Sequence, residues 1–183
     1  MHHDTPRQPA PVEEAKERFL EAMSWGVTMV NVVTTGGPKG RFGATVSAMA
    51  SVSADMSPPT LLVCMNRGGS TAPAIIENGV FCLNILHETQ RPIADCFADR
   101  VKMESGDKFD CATWWPNPHG CWRLDDALAT FDCRVLKADA VGSHYVIIGS
   151  VESLDFRSRA RALLYGARGY CAAAPLLDGD CPS

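Results

Sequence analysis

The chain of 183 residues is long enough for one domain with a substantial core, and its apolar (46%) and charged (21%) fractions are those of a soluble globular protein. Its net charge of −4 and pI near 5.7 argue against a general nucleic-acid binder, which needs a basic surface. No apolar run approaches the roughly 20 residues that span a bilayer, and the polar start lacks the pattern of a signal peptide. We therefore expect a cytoplasmic protein without nucleic-acid or membrane partners.

The first half of the chain predicts one amphipathic helix and then mainly strands. Residues 1–11 are expected to be a disordered tail, and residues 12–183 a single domain. A helix over 12–23 is indicated by an apolar stripe at Val12, Ala15, Phe19, Ala22 and Met23. Strands are predicted over 27–35, 42–53, 60–65 and 80–86, with a hairpin turn at 36–40. A helix capped by Ser70 and ending at Gly79 lies between the last two.

The second half of the chain predicts one more helix and three more strands. A helix is predicted over 90–98, and further strands over 127–138, 143–154 and 163–171. The segment 99–126 has no clean period, and a long irregular segment in a compact domain is usually functional or interfacial. Short strands with few helices favour a mainly β fold, a barrel or sandwich, over a parallel βαβ sheet.

The eight cysteines raise the question of a metal site or a disulfide framework. None forms a Cys-x-x-Cys pair, and zinc sites usually bring their ligands in close pairs. Cys64, Cys82 and Cys133 fall inside apolar strands, where a free cysteine acts as a small hydrophobe. Buried reduced thiols are the favoured interpretation, with no metal, and a metal site or disulfide is the alternative.

The segment Asn66–Thr71 is the best candidate for an anion site. A helix begins there, so free backbone N–H groups and the positive end of the helix dipole are available, and Ser70 and Thr71 add hydroxyl donors. Arg67 can add a bidentate charged contact. The alternative is an ordinary serine-capped helix after a Gly-Gly loop, which the spacing alone favours.

The strand after the first turn carries small hydroxyl residues at alternate positions, and these share one face: Thr45, Ser47, Ser51 and Ser53. The intervening residues are small and apolar, which leaves room for a flat ring to lie against the strand. A half-exposed strand with polar residues outward is the alternative. His144 is the histidine that falls inside a predicted strand, and it is either a hydrogen-bonded structural residue or a functional one.

Familiar catalytic and nucleotide motifs are missing from the sequence. It has no Gly-x-Gly-x-x-Gly between a strand and a helix and no Gly-x-x-x-x-Gly-Lys-Ser/Thr, so a bound dinucleotide is not held by a Rossmann fold. It also has no Gly-x-Ser-x-Gly and no His-Glu-x-x-His, so hydrolase functions rank low.

A set of short segments, in order along nearly the whole chain, resembles the short flavin reductases, which are the NAD(P)H-dependent reductase components of two-component flavin monooxygenases. The segments are Gly43–Thr45, Ser51–Ser53, Pro58–Cys64, Asn66–Arg67, Ser70–Thr71, Phe81–Leu86, Gly106–Phe109, Ala127–Ala129, Asp132–Cys133, Gly142–His144, Gly149–Val151, and Leu163–Tyr165 with Tyr170.

The resemblance implies an FMN-binding split β-barrel, assembled as a homodimer with flavin near the subunit interface. It implies flavin contacts from three segments, at Thr45, Val46, Ser47, Ala48, Ser51, Val52, Ser53, Cys64, Met65, Asn66, Arg67, Ser70 and Thr71. It also implies nicotinamide contacts from His144, which would take the catalytic positioning role, and from Arg168 and Tyr170.

The expected activity is reduction of FMN or FAD by NADH or NADPH, with reduced flavin passed to a separate monooxygenase. Ser143 stands where the family commonly has an acidic residue, and Arg168 lies one position off the commoner arrangement, so the choice of nicotinamide stays open. The alternatives are a same-fold FMN enzyme that reduces a corrinoid or oxidises a small amine, and a flavin- or haem-binding module without turnover.

Overall fold

The computed structural model describes residues 12–157 and 160–174. The expected tail at 1–11 lies outside the described residues. The helices are α1 Val12–Ser24, α2 Thr71–Asn78 and α3 Arg91–Phe97. The strands are β1 Thr28–Met29, β2 Asn31–Thr35, β3 Phe42–Val46, β4 Met49–Ser53, β5 Thr60–Asn66, β6 Val80–Ile85, β7 Trp114–Pro116, β8 Trp122–Leu124, β9 Ala129–Val141, β10 His144–Phe156, β11 Leu163–Gly166 and β12 Gly169–Ala172.

The main sheet has seven antiparallel strands in the order β3-β2-β6-β9-β10-β5-β4. Its two edge strands, β3 and β4, are consecutive in the chain and are joined only by Ser47 and Ala48. A flat sheet of this width would separate its edges by roughly 29 Å, whereas the link spans at most about 11 Å. The sheet is therefore rolled into a barrel, and the amide of Cys64 on β5 donates to the carbonyl of Ala48 at 2.9 Å.

This arrangement confirms a mainly β fold with few peripheral helices but corrects the prediction of one strand over 42–53. The chain turns a corner after Val46, so β3 pairs with β2 and β4 pairs with β5. Alternation of side chains therefore does not run through Ser47, and the four hydroxyl residues do not share one continuous face.

Two other predicted strands are divided in the structure. The segment 27–35 breaks at Val30, whose amide donates to Leu163 while its carbonyl accepts from Leu86, so β1 joins a small sheet with β11 and β12. The segment 163–171 is a hairpin with its turn at Ala167 and Arg168, both at positive φ. The segment 99–126, expected to be irregular, contains a short 3-10 turn over 108–111 and the β7–β8 hairpin.

Two apolar clusters hold these layers together. One fills the barrel, with fully buried side chains that include Val33, Val63, Ile75, Phe81 and Ile147. The other packs α3 and the 3-10 turn against the outside of the barrel through an aromatic group. In that group, the ring of Phe97 lies 5.1 Å from those of both Phe109 and Trp114.

A buried carboxylate joins the β7–β8 hairpin to the barrel. Asp132 on β9 accepts from Nε of Arg123 at 3.0–3.1 Å and from the hydroxyl of Ser153 at 2.8 Å. Burial by itself raises the pKa of Asp132, but the hydrogen bonds from Arg123 and Ser153 hold the pKa below its ordinary value. In the part of the chain that the structure describes, no helix combines the length and the apolar run of a membrane crossing.

Candidate functional site

A cleft of about 320 Å³ opens where the corner between β3 and β4 meets the end of β5 and the start of α2. Most of its lining belongs to two of the segments singled out in the sequence. The lining residues are Gly43, Ala44, Thr45, Val46, Ser47, Ala48, Cys64, Met65, Asn66, Gly69, Ser70, Thr71, Ala72, Asp99, Lys108 and His144. Ten of the predicted site residues are thus brought together in one place.

The corner between β3 and β4 supplies one wall. Ser47 and Ala48 are exposed, belong to no strand and line the cleft. Thr45 also lines the cleft, and its hydroxyl donates to the carbonyl of Ala94 on α3 at 2.7 Å. This hydrogen bond fixes the corner against α3 and uses the one donor of the hydroxyl.

The end of β5 and the start of α2 supply the opposite wall. The side chain of Asn66 accepts from the amide of Gly68 at 2.7 Å, which turns the chain into the helix. Ser70 stands at the N-cap position, but its hydroxyl makes no capping hydrogen bond, in contrast to the predicted cap. This hydroxyl and the first turn of α2 are therefore available to an anion in the cleft.

Arg67 is placed beside the cleft and does not line it. Its Nη1 donates to the carbonyl of Gly142 at 3.1 Å, and its guanidinium lies 5.2 Å from the ring centre of Tyr145. Its amide also donates to Ser143 at 3.0 Å. These contacts join the tip of the β9–β10 hairpin to the end of β5.

The same hairpin positions His144. It is the first residue of β10 and lies opposite Asn66 in the register of β5. Its Nδ1 is 2.9 Å from the hydroxyl of Ser143, and the ring is exposed at the cleft. A histidine held in this way can contact a flat ligand that enters the cleft from solvent.

The structure places an ion pair at the cleft that the sequence does not predict. Nζ of Lys108 lies 2.8 Å from Oδ1 of Asp99, and both residues line the cleft. The 3-10 turn that carries Lys108 is capped by Asp107, which also pairs with Arg41. The sequence signal for this pair is the segment Gly106–Phe109, which is part of the family resemblance.

Ser51, Val52 and Ser53 are not brought to the cleft. They lie on β4, and Ser51 and Ser53 line an apolar groove of about 500 Å³ with Met49, Leu61 and other apolar residues of the sheet. Val52 is exposed, at 48% of its surface. Their predicted flavin contacts would require the ligand, or a neighbouring subunit, to extend beyond the cleft.

The C-terminal hairpin places Tyr170 close to the cleft but leaves Arg168 apart. Tyr170 lines a second chamber of about 190 Å³, which shares Thr45 and Ser47 with the cleft. Arg168 is exposed in the β11–β12 turn at φ 61° and lines neither cavity.

Tyr170 belongs to a network centred on Asp95 of α3. The Tyr170 hydroxyl donates to Oδ1 of Asp95 at 2.9 Å, and Arg100 and Arg91 donate to the same carboxylate. Burial raises the pKa of Asp95, but the hydrogen bonds from Tyr170, Arg100 and Arg91 outweigh it and lower the pKa. Burial and the hydrogen bond to Asp95 raise the pKa of Tyr170.

The cysteines of the described ranges are free thiols, and Cys181 lies outside those ranges. Burial raises the pKa of Cys121 to about 12 and is the main cause of a raised pKa at Cys82 and Cys133. Cys64 lines the cleft. Among the described residues, no group of three or more His, Cys, Asp or Glu side chains is arranged to hold a metal ion.

The rolled antiparallel barrel and its corner cleft define the class of protein. The family model described as a flavin reductase like domain matches residues 23–174, and the chain belongs to this family. A relative from Enterobacter cloacae, named FMN reductase (NADH) RutF, is 41% identical over 86% of this chain and 93% of its own length. A protein of the same name from Methylorubrum extorquens is 41% identical over 91% of this chain and 80% of its own.

Solved structures are similar over nearly the whole described fold. The nitrilotriacetate monooxygenase component B homologue of Mycobacterium thermoresistibile has a TM-score of 0.79 at 28% identity, covering 94% of this chain and 93% of its own. BorF, the flavin reductase component of a bacterial two-component tryptophan halogenase, has a TM-score of 0.78 at 26% identity. The match covers 88% of this chain and 99% of BorF.

The network around Asp95 generates a prediction about Tyr170. We expect Asp95→Asn to lower the pKa of Tyr170, because the charge that raises it is lost while Arg91 and Arg100, which lower it, remain. Tyrosinate absorbance followed against pH measures this, since the chain has three tyrosines and Tyr170→Phe identifies the signal.

The matched control is Asp139→Asn, which removes an exposed carboxylate paired with Lys137 on β9. Asp139→Asn should leave the pKa of Tyr170 unchanged. A Tyr170 pKa that stays the same or rises in Asp95→Asn would contradict the network.

Proposed function

We propose that the chain is an NADH-dependent FMN reductase that binds flavin in the corner cleft. The observation that carries this proposal is the pairing of two walls, an exposed backbone corner at Ser47 and Ala48 and an uncapped helix start at Ser70 and Thr71. The first suits a flat polar ring and the second suits its phosphate. The names of the relatives support FMN and NADH over FAD and NADPH.

In the proposed reaction, a hydride leaves C4 of the reduced nicotinamide and joins N5 of the flavin, and a proton from solvent completes the reduced flavin. The two cofactors supply this reactivity, and the protein supplies binding, orientation and electrostatics. His144, exposed at the cleft, orients the nicotinamide carboxamide. The backbone N–H groups of the corner favour the negative charge that develops on the ring, whereas the charge of Lys108 is offset by its pair with Asp99.

The exposure of the cleft supports a flavin that enters and leaves. Ser47, Ala48, Asn66, Ser70 and His144 are all exposed, so the ligand is not sealed from solvent. A volume of about 320 Å³ lies at the small end of ligand sites, which range over about 300–1,000 Å³. Reduced flavin released from such a site would pass to a separate flavin-dependent monooxygenase, the proposed partner.

The exposed apolar surfaces support a homodimer. No residue of α1 is buried, and Val12, Phe19 and Met23 are at least 59% exposed although they share one face of the helix. Leu154 and Phe156 add exposed apolar surface at the end of β10, near the apolar groove. A second copy that covers these surfaces would also bring a neighbour to Ser51 and Ser53. We place this assembly in the cytoplasm, in keeping with free thiols.

An oxidation assay with each flavin and each nicotinamide tests the proposed function. We expect the purified protein to oxidise NADH only when flavin is added, with FMN preferred to FAD and NADH preferred to NADPH. A yellow protein inert to both nicotinamides would instead indicate a binding module, and corrinoid- or amine-dependent turnover would indicate the same-fold alternative.

Removal of the two hydroxyls at the start of α2 tests where the flavin phosphate binds. We expect the double variant Ser70→Ala, Thr71→Ala to raise the apparent KM for FMN, because each lost charge-assisted hydrogen bond costs about 1.5–3 kcal/mol. Steady-state kinetics with riboflavin, which lacks the phosphate, should be unaffected.

Thr71 is buried, so Thr71→Ser is the matched control that keeps the hydroxyl while changing the packing. An unchanged KM for FMN, or an equal rise for FMN and riboflavin, would remove the phosphate from this end of the cleft.

The proposed dimer is tested by a charge on the apolar face of α1. We expect the wild-type chain of 19.8 kDa to sediment at twice its mass and Phe19→Asp to shift the population toward monomer, because a buried carboxylate without a partner is costly. Glu21→Ala, on the opposite face of α1, is the control. Sedimentation of the wild type as a monomer would exclude this assembly.

A further inference from the structure

The chamber beside the cleft has its own lining and its own charge. Val30, Thr45, Ser47, Ala98, Arg100, Tyr165 and Tyr170 form its walls. Because Thr45 and Ser47 also line the cleft, the chamber and the cleft adjoin each other. We call it the arginine chamber, after its one charged lining residue.

Arg100 is held in place by three neighbours. Its Nη1 donates to Oδ1 of Asp95 at 3.2 Å and to the hydroxyl of Tyr170 at 3.2 Å. Its guanidinium carbon lies 5.7 Å from the ring centre of Tyr165 and 5.5 Å from that of Tyr170. A guanidinium fixed by aromatic and charged contacts loses little freedom when it binds a further group.

The guanidinium keeps donors free for a ligand. It has five N–H groups. Those on Nη1 serve Asp95 and Tyr170. At least two donors therefore remain, and the side chain is half exposed, at 50%. Two parallel N–H groups of this kind match the oxygens of a phosphate.

The local charge also favours an anion. Asp95 is shared by Arg100 and by Arg91, whose Nε lies 3.3 Å from Oδ2, so two cations face one carboxylate. The uncharged hydroxyls of Tyr165 and Tyr170 do not offset the remaining positive charge. In a chain whose net charge is −4, Arg91, Arg100 and Asp95 together carry one net positive charge beside the chamber.

We propose that the arginine chamber binds a phosphate of the reduced pyridine dinucleotide through Arg100. This inference rests on the proposed function, since it assumes that the nicotinamide lies in the adjoining cleft. The flavin phosphate is assigned to the start of α2, on the other wall of the cleft, so Arg100 is left for the second nucleotide. FAD, which carries an additional phosphate, is the other possible source and is separated by the experiment.

The experiment compares NADH with 1-benzyl-1,4-dihydronicotinamide, a hydride donor without phosphate, at saturating FMN. In Arg100→Gln we expect the KM for NADH to rise about tenfold or more, the effect of losing a charge-assisted contact, while kinetics with the phosphate-free donor stay unchanged. Arg100→Lys keeps the charge but loses the two parallel N–H groups of the guanidinium. Its KM for NADH should therefore lie between those of the wild type and Arg100→Gln. Arg134→Gln, which removes an exposed arginine paired with Glu152, is the control.

The outcomes separate the inference from the function on which it rests. An equal loss with both donors would make Arg100 a structural residue and overturn the proposal, as would an unchanged KM for NADH. A rise in the KM for FAD alone would assign the chamber to the flavin nucleotide instead. If the wild type oxidises neither donor, the proposed function fails, and calorimetric titration of NADH into wild type and Arg100→Gln still tests the chamber, because equal affinities would overturn it.

Discussion

The short link through Ser47 and Ala48 is the constraint on which the rest of the structure depends. It joins the two outermost strands of a seven-stranded sheet, which only a closed sheet can allow. Closure has two results at once. It brings the two edge strands, β3 and β4, together on one side of the barrel, and it leaves a corner of backbone outside the ladders. The candidate ligand site is built on that corner, so the same two-residue link both rolls the sheet into a barrel and forms one wall of the site.

Three distant parts of the chain are brought to this corner by packing. The end of β5 arrives through its pairing with β10, whose first residue is His144. Lys108 arrives on a 3-10 turn that the Phe97–Phe109–Trp114 group fixes against α3. Tyr170 arrives on a hairpin that hydrogen-bonds to the same helix through Asp95. These contacts join parts of the chain that are far apart in sequence, and they place His144 and Lys108 at the cleft and Tyr170 at the adjoining chamber.

Much of the fold could be predicted from the sequence, because periodicity and turn residues report local structure. The helices α1, α2 and α3 and most strands fall close to their predicted bounds. The corner after Val46 could not be predicted, because small alternating residues continue through it and no glycine or proline marks it. The pair Asp99–Lys108 could not be predicted either, since the aromatic contacts that place it are long-range and its segment has no period.

The buried thiols carry a consequence for a protein that handles reduced flavin. Reduced flavin that escapes its acceptor reacts with oxygen and yields peroxide, which attacks thiolates far more readily than protonated thiols. Burial at Cys82, Cys121 and Cys133 keeps these sulfurs protonated and out of reach. Cys171, exposed on β12 near the arginine chamber, has no such shelter. Among the cysteines of the described residues, Cys171 is the exposed one, so we expect peroxide to oxidise it before the buried thiols Cys82, Cys121 and Cys133.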